Sequence, residues 1–161
     1  STPLYSSAAS DVYKRQVTDA LRVRGIFAEL ADDISSKLRR EGMLAGAVQV
    51  QIKDNTFKTS QYQKKLSNPT RIADELLAAA IGLVRSNNAL RVPARLVGMT
   101  ACDLVGEDEG FQLSFDFDQT HADSMEQLGS RVDGLRDKYG KQIIRRASQL
   151  NSEQKESKDK K

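Results

Sequence analysis

Ala47-Val48-Gln49-Val50-Gln51-Ile52-Lys53 decides the fold. Its strict alternation puts Val48, Val50 and Ile52 on one face of a strand and Gln49, Gln51 and Lys53 on the other. Such a strand is buried on one side only. Upstream, Phe27, Leu30, Ile34 and Leu38 recur at steps of three and four residues, predicting an amphipathic helix capped at Thr18 or Asp19 and ended by Gly42. Downstream, Asp54-Asn55 supplies a turn, and residues 57–66 read as a second, polar strand with Lys58, Ser60, Tyr62 and Lys64 at its even positions. Asn68-Pro69 signals the next helix, because Asn can cap free N–H groups and Pro at the first helical position gives up no donor it could use. Ile72, Leu76, Leu77, Ile81, Leu83 and Val84 form that helix's apolar face, which ends at Ser86-Asn87-Asn88. Pro93 leads into a last strand over 94–104. The order helix, strand, strand, helix, strand predicts an α+β fold: a two-layer sandwich of a small antiparallel or mixed sheet with two helices on one face.

Around this module, over 17–106, the chain is polar. Only 39% of its 161 residues are hydrophobic and Trp is absent, which fits one core with solvated segments attached. Residues 1–16 show no core-forming period, resemble a translated sequencing adapter of the kind found at the ends of assembled environmental gene fragments, and are set outside the fold as disordered. An acidic linker spans 107–121. A C-terminal helical segment follows over 122–150, with Met125, Leu128, Val132, Leu135 and Tyr139 as a narrow stripe, weakened by about 1 kcal/mol each at Gly129 and Gly134. Residues 151–161, with Lys155, Lys158, Lys160 and Lys161, read as a disordered tail.

Charge is unevenly spread. Between Arg39 and Lys65 the cations Arg39, Arg40, Lys53, Lys58, Lys64 and Lys65 face only Glu41 and Asp54, whereas 107–126 carries seven carboxylates and no cation. The middle of the chain suits a polyanion and the linker repels one. Cys102 and His121 are the only residues of their kinds, which excludes an internal disulfide and any zinc site built from several of either. No run approaches the roughly 20 apolar residues of a membrane span and no secretory leader is visible, so a soluble cytoplasmic protein with no membrane partner is expected.

Enzymatic motifs are missing from the sequence: there is no Gly-rich phosphate loop, no HExxH and no GxSxG. Glu107-Asp108-Glu109 reads as a solvated hinge, since three successive carboxylates cannot converge on one ion without a scaffold. Cys102 reads as a small buried thiol, and His121 receives no role. No catalytic residue, metal site or cofactor is assigned.

Two binding features remain. With helices on one side of the sheet, the other side becomes a platform expected to display Gln49, Gln51 and Lys53 beside Lys58, Ser60, Tyr62 and Lys64, with Arg91 and Arg95 on the last strand. Such cations and amides suit salt-sensitive, sequence-tolerant phosphate contacts, the competing reading being an ordinary solvated face. The second feature is Gln112-Leu113-Ser114-Phe115-Asp116-Phe117, three apolar side chains in an acidic tether where no core is at hand. It reads as a docking peptide, the alternative being a short edge strand folded back on the module. A different function also fits: an interaction protein that pairs through the 125–139 stripe and has no DNA role. A third, an RNA-binding module, needs exposed aromatics to stack bases, and Tyr62 is the one placed for it.

Three stretches together resemble the C-terminal region of bacterial Y-family translesion DNA polymerases of the DNA polymerase IV type. The run from Leu30 through Leu38-Arg39-Arg40-Glu41-Gly42 into Val48-Gln49-Val50-Gln51-Ile52-Lys53 and Phe57-Lys58-Thr59, with Pro69-Thr70 following, is similar to the family's little finger domain. Ala94-Arg95-Leu96-Val97-Gly98-Met99 is similar to that domain's last strand, and Tyr139-Gly140-Lys141 to Ile144-Arg145-Arg146-Ala147-Ser148 resembles the segment after the clamp peptide in some members. The resemblance implies a little finger whose first strand is missing and whose open sheet face grips the backbone of template-primer duplex DNA. It implies that Gln112, Leu113, Phe115 and Phe117 enter a groove on the replicative sliding clamp, with Phe115 where an aliphatic residue is commoner. It further implies a nucleoid-associated parent that is a DNA-directed DNA polymerase using Mg2+, whose catalytic carboxylates are not in this fragment.

Overall fold

The computed structural model describes residues 5–8, 20–110 and 118–147. Thr18, Asp19, the docking peptide 112–117 and the tail 151–161 lie outside them. The elements are β1 (Tyr5–Ala8), α1 (Ala20–Glu41), β2 (Met43–Asp54), β3 (Thr59–Thr70), α2 (Ala73–Ser86), β4 (Ala94–Gly106) and α3 (Gln119–Tyr139).

α1 buries the stripe its spacing predicts, with Phe27, Ile34 and Leu38 fully enclosed. It stops at Gly42, whose φ of 60° only a residue without Cβ adopts cheaply. The Gly42 N–H donates to the Arg39 carbonyl at 3.3 Å. The chain then enters β2 at the centre of an antiparallel sheet of order β1-β4-β2-β3. Val48, Val50 and Ile52 lie opposite Ala101, Met99 and Val97 of β4, and these six side chains are buried beneath α1 and α2. The α+β two-layer architecture is therefore the one the alternation at 47–53 predicts.

Near one end of the central pair the regular pleat is interrupted. Asp103 adopts φ 49°, and a Cβ added to Gly46 would sit 2.6 Å from the Asp103 carbonyl oxygen. A backbone this close tolerates no side chain at Gly46. Beyond the irregularity Ala45 and Leu104 join the core.

The structure corrects several of the sequence expectations about the elements. Residues 1–16 were set outside the fold, yet Tyr5–Ala8 pairs antiparallel with β4 as a fourth strand. The edge of β4 offers unpaired backbone groups that a short segment can satisfy through its own backbone, without a hydrophobic period. Asn68-Pro69 does not open α2; both lie in β3, an edge strand where a missing N–H costs no ladder bond. α2 starts later, at Ala73, after the Thr70 hydroxyl has accepted the Ile72 N–H at 3.1 Å. Arg91 sits in the turn before β4, its N–H on the Asn88 carbonyl at 3.1 Å.

α3 starts at Asp118, whose side chain accepts the His121 N–H at 3.0 Å. It rests against α1 mostly through polar links, with Ala122 its one buried residue among those described. Arg39 Nε reaches Asp133 Oδ2 at 2.6 Å, Ser36 donates to Asp133 Oδ1 at 2.7 Å, and Arg136 lies 3.5 Å from Asp32. Gly129 permits this: a Cβ there would be 2.7 Å from Arg39 Nη1. Among the described residues no helix is long and apolar enough to cross a membrane.

Candidate nucleic-acid interface

In an antiparallel sheet, residues directly opposite each other share a face. β3 pairs with β2 so that Gln49 faces Gln63, Gln51 faces Gln61 and Lys53 faces Thr59, while Tyr62 lies opposite Val50 and Ser60 opposite Ile52. The face away from the helices is thus built from Gln49, Gln51 and Lys53, together with Thr59, Gln61, Gln63 and Lys65 of β3 and Leu96, Gly98 and Thr100 of β4. Gln49, Gln51 and Lys53 stand where the sequence puts them.

Ser60, Tyr62 and Lys64 do not. They point to the helix side of the sheet, where Tyr62 packs against the core. Sequence reasoning chose the even positions of β3 because they carry the cations. With a side-chain period of two, however, the register alone fixes the face, and an odd offset exchanges the whole set. Lys58 lies in the turn, where its N–H donates to Asp54 Oδ1 at 3.0 Å and its carbonyl accepts the Asp54 N–H at 3.0 Å. The odd set that the register exposes, Thr59, Gln61, Gln63 and Lys65, was missed because no charge pattern marks it.

The resulting surface is an amide and hydroxyl sheet with a cation at each end, Lys65 and Lys53. Over the regular stretch 47–53 and its paired residues no carboxylate lies on it. Cys102 belongs to this face too, its thiol 3.8 Å from Gln49 Oε1, and burial, with help from the Asp103 charge, pushes that thiol above its ordinary pKa. It is a protonated spacer rather than a nucleophile.

At the Lys53 end the register slips by one residue, so that Lys53 faces Leu96 but Asp54 faces Ala94, leaving Arg95 as the extra residue of a bulge. The Arg95 guanidinium lies 4.6 Å from the centre of the Phe57 ring and Lys53 Nζ lies 5.5 Å from it. Asp54 organises the turn beneath them by accepting from the Thr56 hydroxyl at 2.6 Å and the Thr56 N–H at 2.8 Å. The Thr56 hydroxyl bond is the main cause that holds the Asp54 carboxyl below its ordinary value.

On the far side, Arg71 joins the two flanks of the docking peptide: Nη1 reaches Glu107 at 2.6 Å and Nε reaches Glu126 at 3.0 Å. The first acid of the linker is therefore paired, although its side chain stays 48% exposed. Gln112, Leu113, Phe115 and Phe117 lie outside the described residues. Among the described residues no group of three or more His, Cys, Asp or Glu side chains could hold a metal ion.

The chain is similar to known proteins. DNA polymerase IV 1 of Bacillus subtilis (strain 168) is 27% identical over 151 residues, covering 92% of this chain and 36% of the relative. The chain thus spans about a third of the length of the curated relatives it matches. A solved complex of β-clamp processivity factor and the little finger domain of PolIV aligns over 71% of this chain and 97% of that one, at 16% identity and a TM-score of 0.49. A post-insertion binary complex of Dbh DNA polymerase aligns over 63% of this chain and 29% of that one, at 11% identity and a TM-score of 0.53, a likeness of fold. The model described as the impB/mucB/samB family C-terminal domain matches residues 5–115. With that match over more than half of its length, the chain belongs to the impB/mucB/samB family of C-terminal domains.

Proposed function

We propose that the open sheet face holds the backbone of duplex DNA, and that Gln112, Leu113, Phe115 and Phe117 dock the chain on the replicative sliding clamp. The chain is then the DNA-gripping and clamp-recruiting end of a translesion polymerase. Mg2+-dependent polymerisation is assigned to sequence outside it.

The observation that carries the first half is the face itself: Gln49, Gln51, Gln61, Gln63, Thr59 and Thr100 offer neutral donors between Lys53 and Lys65, with no carboxylate among them. Neutral donors bond phosphate oxygens without reading bases, and the cations release counterions. Kinship with proteins named DNA polymerase IV supports the same reading. Support for the clamp half comes from the peptide's composition and from its acidic flanks, which keep it off a polyanion. Of the 125–139 stripe, Met125 and Val132 are half-buried in a groove shared with Arg39 and Ile72 while Leu128, Leu135 and Tyr139 are exposed, so pairing through that stripe is the second reading.

Fluorescence anisotropy of duplex DNA with the full chain tests the first half. With Lys53, Lys65 and Arg95 as the contacting cations, log K is expected to fall with log salt at a slope of about −2 to −3. Lys53→Glu with Lys65→Glu should weaken binding by roughly tenfold or more, and Lys64→Glu, on the other face, should leave it nearly unchanged. A flat salt response, or equal losses from both variants, overturns the assignment. For the clamp, Leu113→Ala with Phe115→Ala should remove nearly all affinity in a titration; retained binding rejects that half.

A further inference from the structure

Phe57 occupies a position that its turn ordinarily gives to glycine. The Phe57 N–H donates to the Asp54 carbonyl at 3.1 Å and the Asp54 N–H to the Lys58 carbonyl at 3.0 Å, the pattern of a three-residue hairpin loop whose last residue is left-handed. Phe57 has φ 68° there, a region that bulky side chains rarely enter. Its ring gains little packing in return, since the residue is 60% exposed. A strained aromatic held out in solvent between a lysine and an arginine calls for a ligand.

Resting on the DNA reading above, we propose that Phe57 is a stacking platform for an unpaired base of a DNA strand that leaves the duplex at this end of the sheet. Three observations converge on that ligand. Lys53 belongs both to the open face and to the Phe57 cluster, so the platform continues the proposed duplex surface. An aromatic ring beside cations is the combination that single-stranded nucleic acid requires, the ring for the base and the cations for the flanking phosphates. An exposed cation–ring contact is weaker than a charge-assisted bond to phosphate, so Arg95 and Lys53 can exchange the ring for the backbone when a strand arrives. The Asp54 hydrogen bonds to Thr56 and Lys58 fix the turn in advance.

The test compares a blunt duplex with the same duplex carrying a single-stranded extension, using the full chain and a 2-aminopurine in the extension. Phe57→Gly suits the backbone and removes the ring; it is expected to hold or raise the melting temperature, to weaken binding of the extended DNA by about tenfold, and to leave blunt-duplex binding unchanged. Phe57→Tyr should retain the extension preference and the 2-aminopurine response, while Phe57→Leu, which keeps apolar bulk without the π-face, should lose both. If Phe57→Leu binds extended DNA as the parental chain does, the platform is refuted even should Phe57→Gly fold poorly. If every variant binds both DNAs equally, this inference fails and the duplex reading stands. If the parental chain binds neither DNA, both fall.

Discussion

Gly46→Ala is expected to destabilise the chain by about 2–3 kcal/mol, and Gly82→Ala to stabilise it by about 0.5–1 kcal/mol. The same added methyl group meets opposite surroundings. At Gly46 the new carbon would lie 2.6 Å from the Asp103 carbonyl oxygen and 3.1 Å from the Asp103 Cβ. Neither neighbour is the free end of a flexible side chain, so β2 and β4 must part where they form the centre of the sheet. Asp103 cannot easily give way, because it is already at φ 49°. Gly82 lies inside α2 with nothing within 4 Å of the added carbon. There alanine only reduces the backbone entropy lost on helix formation. Thermal unfolding followed by circular dichroism should separate the two melting temperatures by roughly 10 °C or more. A Gly46→Ala chain that melts with the parental one would show that the two strands are not in close apposition at this point.

The contrast between these glycines also marks what sequence can reveal about this fold. The alternation at 47–53 and the three-and-four spacing in α1 are local, and each names its own buried face, so the sandwich was readable before any coordinates. Gly46 and Asp103 meet across strands, and nothing local announces them. The same limit governs the interface. Gln49, Gln51 and Lys53 were found because Val48, Val50 and Ile52 between them are apolar. β3 has no comparable alternation, so the side on which Ser60, Tyr62 and Lys64 stand depends on pairing with β2 and could not be read along the chain. Positive charge was the signal used, and it selected the wrong parity. Phe57 was overlooked for a related reason: its left-handed backbone follows from the hydrogen bonds of the turn, while its residue type argues against that conformation. The docking peptide at 112–117 was read from composition alone and lies outside the described residues.

Asp133→Ala is expected to loosen α3 while the sheet and its two helices stay folded. α3 buries Ala122 alone among its described residues and carries Gly129 and Gly134, so its own propensity cannot sustain it in water. Its attachment rests on polar contacts: Arg71 to Glu126, Arg136 to Asp32, and a chain through Arg39. Arg71 offers its carbonyl to the buried Ser35 hydroxyl, Ser35 accepts from Arg39 Nη1 at 2.6 Å, and Arg39 Nε reaches Asp133 at 2.6 Å. The Arg39 and Asp133 side chains are 13% and 22% exposed, shielded enough from water for their pairing to contribute about 1–2 kcal/mol. Removing Asp133 leaves the guanidinium with its charge unanswered, and amide exchange across 119–139 should accelerate by roughly tenfold to thirtyfold with β2 and β4 unchanged. Acid gives a second route. Burial works to raise the Asp133 carboxyl, but the hydrogen bonds from Arg39 and Ser36 and the charges of Arg39 and Arg136 hold it below its ordinary value of 3.8. A carboxylate depressed in the folded state contributes its stability fully above the ordinary value and loses it as pH falls through the lowered one. α3 should therefore stay docked at neutral pH and detach below about pH 4, ahead of the core. If exchange in α3 is as slow in Asp133→Ala as in the parental chain, the helix is held by something other than this ion pair.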